Sequence, residues 1–135
     1  MSVQLLSPVS MLQPVPYAHV SVATGSRQVH VAGQIGRDGD TGHLAEDLAG
    51  QVAQALRNTA RGLAAAGATF ADVVRLRFFV TGWSPEKMDE FMAGVESVAR
   101  ELDLPTPMPP ASLIGVEILF DADVLVEVET DAVLD

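Results

Sequence analysis

The chain contains no cysteine among its 135 residues. Disulfides, thiolate nucleophiles and thiolate metal sites are thereby excluded. Lysine is nearly missing as well: lysine and arginine together number eight, and Lys87 is the only lysine. Against 18 acidic residues this leaves a formal net charge of −10. A nucleic-acid surface needs clustered cations to meet phosphates, and here the arginines are dispersed. Aromatic residues make up 5% of the chain, too few to suggest a base-stacking platform. No apolar run approaches the roughly 18 residues of a membrane span. Residues 1–15 carry no basic region of the kind that opens a secretory signal. The expectation is a cytoplasmic protein of one domain, residues 1–135, with neither nucleic-acid nor membrane partners.

What is present is a well-patterned apolar half, 48% of the residues, enough to fill one core. Tyr17 to Val22 reads as a short strand, Ala23-Thr24-Gly25-Ser26 as a turn, and Gln28 to Ala32 as a second strand, so the pair is expected to form a hairpin. The loop 36–42 is rich in Gly and Asp. Asp38-Gly39-Asp40 does not continue as a calcium loop, because the twelfth position is Ala49 where a bidentate Glu is needed.

From Leu44 the period becomes helical, with Leu44, Leu48, Val52, Leu56, Ala60 and Leu63 on one stripe and Gly67 as the stop. Ala71 to Thr81 reads as a long strand. A second helix starts near Ser84-Pro85-Glu86 and carries the stripe Met88, Phe91, Met92, Val95, Val98 and Leu102, read as core. Two further strand-like runs end the chain, 109–119 and 124–129. The order is ββαβαββ: an α+β two-layer sandwich, with a mixed sheet and both helices on one face.

That arrangement leaves the other sheet face uncovered. In the long strand Val74, Leu76, Phe78 and Val80 alternate with Arg75, Arg77 and Phe79; in the last, Val124, Val126 and Val128 alternate with Leu125, Glu127 and Glu129. The helices take the aliphatic sets. The uncovered face then carries Arg75, Arg77, Phe79, Glu127 and Glu129, with His30 and Glu117 as further candidates and Leu113, Leu119 and Leu125 exposed among them. Such a mixed face suits burial against another copy of the chain. The arginines either pair with Glu127 and Glu129 there or line a pocket for a small polar metabolite.

Other chemistries find no support. No serine stands in a Gly-x-Ser-x-Gly elbow, the three histidines have no metal-ligand spacing, and Gly33 and Gly36 complete no phosphate loop. His43 and Glu46 stand three apart at the mouth of a helix, where an acid has a sufficient electrostatic reason of its own. No metal and no cofactor are expected.

The ordered set Pro16-Tyr17, Val31-Ala32-Gly33-Gln34-Ile35, Asp40-Thr41-Gly42, Gln51, Gln54-Ala55-Leu56, Asn58, Phe79-Val80-Thr81, Gly115-Val116 and Val126-Glu127-Val128-Glu129 resembles the YjgF/Rid family across residues 16–133. The resemblance implies a chorismate-mutase-like fold and homotrimers with three inter-subunit clefts. In those clefts active members hydrolyse enamine or imine intermediates, as in 2-iminobutanoate/2-iminopropanoate deaminases. By position it makes Glu127 the catalytic, water-handling carboxylate, Tyr17 the cleft tyrosine and Gly33 a backbone contact. Ala32 replaces a serine found in many members. The family's substrate-gripping arginine falls on Ala111, or on Ser112 if the loop differs by one residue. A charge-assisted contact of that kind is worth on the order of 1.5–3 kcal/mol, so its loss weakens the usual substrate unless Arg75 or Arg77 compensates. Two functions follow as expectations: a divergent trimer that binds a small metabolite and hydrolyses an imine, or a non-enzymatic binding or protein-interaction trimer.

Overall fold

The computed structural model describes residues 3–135. Two helices pack on one face of a four-stranded sheet, as the two apolar stripes require. The strands are β1 (Val3–Leu6), β2 (Val20–Ala23), β3 (Arg27–Ile35), β4 (Val73–Thr81), β5 (Ala111–Val116) and β6 (Val126–Leu134), and the helices α1 (Leu48–Ala65) and α2 (Met88–Ala99). The sheet runs β3-β6-β4-β5, with β6 antiparallel to both neighbours and β5 parallel to β4. No helix among the described residues is long and apolar enough to cross a membrane.

The expected hairpin of the first two strands does not form. β2 pairs with β1, a strand the sequence pattern had not signalled, and β3 pairs with β6. The reason is length: β3 and β6 are nine residues each and satisfy one another's ladder, whereas four-residue β2 can do the same only for a short partner. β2 is tied to the main sheet instead by Ser21, whose Oγ donates to the Val74 carbonyl at 2.8 Å.

Register along β4 also departs from strict alternation. A shift between Val73 and Arg75 puts Val73, not Val74, in the core beside Leu76, Phe78 and Val80. On β6 the alternation is unbroken: Val126, Val128, Thr130, Ala132 and Leu134 are buried. On β5 Ala111 and Leu113 stand opposite Leu76 and Phe78 and pack on the core, so Ile114 takes the uncovered face that had been assigned to Leu113. Leu125 likewise packs against the core rather than the open face.

α1 begins at Leu48, later than its apolar stripe suggested. Asp47 caps it, accepting from the Gly50 N–H at 2.9 Å, and Glu90 of α2 accepts from the Leu48 N–H at 2.9 Å. It ends before Gly67, whose φ of 80° closes the turn as expected. Pro85–Lys87 form a 3-10 turn, so α2 starts at Met88 and that methionine is 41% exposed instead of buried. The core stripe begins at Phe91, which meets Phe78 edge to face with centroids 4.9 Å apart. Three residues noted for their position in the sequence prove to be braces. Gln51, buried, donates to the carbonyls of Ala45 and Asp123 and accepts from the Leu125 N–H. Asn58 donates to the carbonyls of Ile35 and Arg37, and Gln54 donates to Asn58. These bonds fix the ends of β3 and β6 onto α1.

Within this core Thr130 is 1% exposed and its hydroxyl has no hydrogen-bond partner among the described residues. Replacing it with a methyl group removes an unsatisfied donor without changing shape. Thr130→Val is therefore expected to raise stability by about 1 kcal/mol in chemical denaturation; a loss of similar size would show that the hydroxyl is satisfied in solution.

Candidate functional site

The uncovered face of the sheet is laid out in rows by strand pairing. One row is His30–Asp131–Arg75, from β3 across β6 to β4. The next is Glu129–Arg77–Ser112, and the third is Ile35–Glu127–Phe79–Ile114. All of the charged residues in these rows except exposed His30 are half-buried. Glu117 lies beyond the end of β5 and is exposed, so it does not join them.

The two arginines make their hydrogen bonds across rows. Arg77 Nη1 donates to Asp131 Oδ2 at 3.1 Å, one row away, and keeps Glu129 Oε1 at 4.0 Å. Arg75 Nη2 donates to Ser112 Oγ at 2.6 Å, in the row of Arg77. Asp131 also holds His30 Nδ1 at 2.8 Å. The expectation that the arginines pair with Glu127 and Glu129 thus holds only for Arg77 and Glu129. Asp131 is the partner the sequence reading missed, although the period-two run of acids through 127 and 129 continues to it.

Burial acts most strongly on the Asp131 carboxyl and pushes its pKa up, but the hydrogen bonds from His30 and Arg77 and the Arg77 charge outweigh it. The net result lies below the ordinary aspartate value of 3.8.

Glu127 is different. Among the described residues it has neither an ion pair nor a hydrogen bond, and its carboxylate lies directly over Gly33. A β-carbon at Gly33 would collide with Glu127 Oε2. The contact depends on an extra residue in β3 between Val31 and Gln34, a bulge that swings the backbone of Ala32 and Gly33 under the side chain. Of the sequence-predicted residues, Gly33 and Glu127 are therefore brought together, with Ala32 beside Gly33 in the same bulge.

Arg75 and Ser112 form a second group, with Ala111 next to Ser112 in the chain and Tyr17 tied to the segment that leads into β5. Tyr17 bridges backbone to backbone with Met108, three residues before β5, and its ring stands edge-on to His19 with centroids 5.4 Å apart. Ser112 faces the open side with Arg75, while Ala111 turns to the core. Register separates the two groups: Glu127 is level with Ile114, three residues along β5 from Ala111 and two strands across. That is about 10 Å in each direction, so within one chain the groups make two half-sites on an open surface. A cavity of about 660 Å³ lies elsewhere, lined in part by Arg37, His43, Glu46 and Asp123.

A two-layer α+β sandwich with one bare, charge-bearing sheet face defines the structural class, and comparison with known proteins gives it a family. Residues 10–134 match the family model described as Endoribonuclease L-PSP. The chain aligns over 99% of its length with the whole of the Rid-family protein YyfB of Yersinia pestis, at 33% identity and a TM-score of 0.86. It also aligns with Escherichia coli TdcF with bound serine, at 26% identity, a TM-score of 0.70, and 93% and 91% of the two chains. For the Escherichia coli YjgF gene product the values are 26% identity, 0.69, 96% and 92%. A search of curated protein sequences gave no match. The chain belongs to the YjgF/Rid family.

The Asp131 network has a pH signature. Because its folded pKa is depressed, its stabilising effect is present above pH 4 and is lost as pH falls through the folded value. Asp131→Asn is expected to be less stable than wild type at pH 7 and to lose less on acidification from pH 5 to 3, followed by thermal melts. Parallel curves for the two proteins would show that Asp131 is not perturbed.

Proposed function

We propose that this chain forms a homotrimer whose inter-subunit clefts bind a small metabolite and hydrolyse an enamine or imine. The observation that carries the reading is the state of Glu127: a half-buried carboxylate with no cation partner among the described residues, stationed over the bulged backbone at Gly33. Asp131 on the same strand is held by Arg77 in an ion pair, and Glu127 is not. One left unpaired can hold a water and accept its proton. Water then adds to the imine carbon, the carbinolamine collapses, and the nitrogen leaves as ammonia with the returned proton. The net change is imine plus water to ketone plus ammonia, and no redox partner is needed.

Trimer formation is supported by the open face itself. Its half-buried charges and the 42% exposed Ile114 suit coverage by another subunit. A neighbouring copy is also what could unite the half-site at Glu127, Gly33 and Ala32 with the one at Tyr17, Ala111 and Ser112. The serine bound to TdcF, a small amino acid, supports metabolite binding on this fold. The absence of arginine at Ala111 favours the second reading, a trimer that binds without catalysing. Cleavage of RNA, suggested by the description of the family model, sits poorly with a net charge of −10.

Light scattering is expected to give three times the 14.3 kDa chain mass; a monomer would remove the clefts. With imines generated in situ, ammonia release is expected to fall about 10²–10⁴-fold in Glu127→Gln. Equal inactivity of wild type and variant on acidic and neutral imines would leave the non-catalytic reading.

A further inference from the structure

Among the described residues, Arg75 is the one arginine on the open face that no carboxylate satisfies. Asp131 stands opposite it in register, but both carboxylate oxygens of Asp131 are engaged, by His30 and Arg77. Arg75 turns instead to the edge strand, where Ser112 Oγ accepts from Nη2 at 2.6 Å. A guanidinium has five N–H donors, and the others on Arg75 have no partner among the described residues. A charge held half-buried with a single neutral partner is costly unless something anionic completes it.

We infer that Arg75 and Ser112 together form a seat for the carboxylate of a small monoanionic ligand. The guanidinium edge offers two parallel N–H groups, the fork that fits the two oxygens of a carboxylate. Ser112 accepts from Arg75 through a lone pair, so its own O–H remains free to donate into the same space. The local charge selects a monoanion. Arg77 is occupied by Asp131 and Glu129, and Lys87, the only lysine, is bonded to the Gly82 carbonyl. A phosphate dianion would therefore meet one available cation among nearby carboxylates, whereas a carboxylate needs only one. The crossed bonds give the two arginines separate tasks: Arg77 ties the sheet face together and Arg75 is left to the ligand. The seat lies in the half-site with Ala111, on the neighbouring strand from that residue. The inference rests on the proposed cleft only for where the remainder of the ligand lies.

The test is an NMR titration of the intact protein with pyruvate and, as an uncharged counterpart, pyruvamide. Saturable pyruvate binding is expected, with pyruvamide at least tenfold weaker. Arg75→Ala is expected to weaken pyruvate tenfold or more at unchanged oligomeric mass, and Ser112→Ala to weaken it severalfold. Arg75→Gln gives the same reading should the alanine variant not fold. Absence of saturable binding, equal binding of pyruvamide, or wild-type affinity in either Arg75 variant overturns the seat. So does a change of oligomeric mass in Arg75→Ala, which would make Arg75 a subunit ion pair. Turnover that depends on Glu127 without pyruvate binding would break the seat and leave the hydrolase reading intact.

Discussion

The register of β6 is the constraint on which the molecule depends. This strand lies inside the sheet and pairs on both sides, and its alternation is complete from Val126 to Leu134. One set of side chains fills the core under both helices; the other presents Glu127, Glu129 and Asp131 to the bare face. A slip of one residue would drive three carboxylates into the core and expose the aliphatic set. That cost makes the register nearly inviolable, and it means the positions of the acids are as firmly set as the packing. The bulge in β3 is tolerated because it sits at Gly33, where the shortened contact serves Glu127.

From this frame the chemistry follows by elimination of partners. Asp131 engages His30 and Arg77, Glu129 supports Arg77, and Glu127 and Arg75 are left, one negative and one positive, at opposite ends of the face. Too far apart to neutralise one another within a chain, they remain available. A neighbouring copy that covers the face could bring an Arg75 of one subunit towards the Glu127 of another. On the proposed reading the same surface serves assembly and binding, and the two unpaired charges are the groups that would meet the ligand.

Much of this was legible in the sequence. Period-two alternation in residues 126–129 and helical stripes on both helices fix the two layers, and the uncovered face with Arg75, Arg77, Phe79, Glu127 and Glu129 follows from parity alone. What parity cannot give is irregularity. The bulges at Val73 and Gly33, the 3-10 turn that moves Met88 to the surface, and the pairing of β2 with β1 depend on tertiary competition for hydrogen bonds. The crossing of the arginines is not legible either, since it depends on Asp131, two residues past Glu129. Gln51, Gln54 and Asn58 stand at signature positions of the sequence, but only the structure shows that they brace loops.

The most direct measurement is a crystal structure of the assembled protein with pyruvate bound. The account predicts a trimer, with the ligand carboxylate on the Arg75 guanidinium and the Ser112 hydroxyl, and a Glu127 carboxylate from the adjoining subunit facing the keto carbon. A ligand bound away from both residues, or Arg75 paired with a neighbouring subunit's carboxylate, would contradict it.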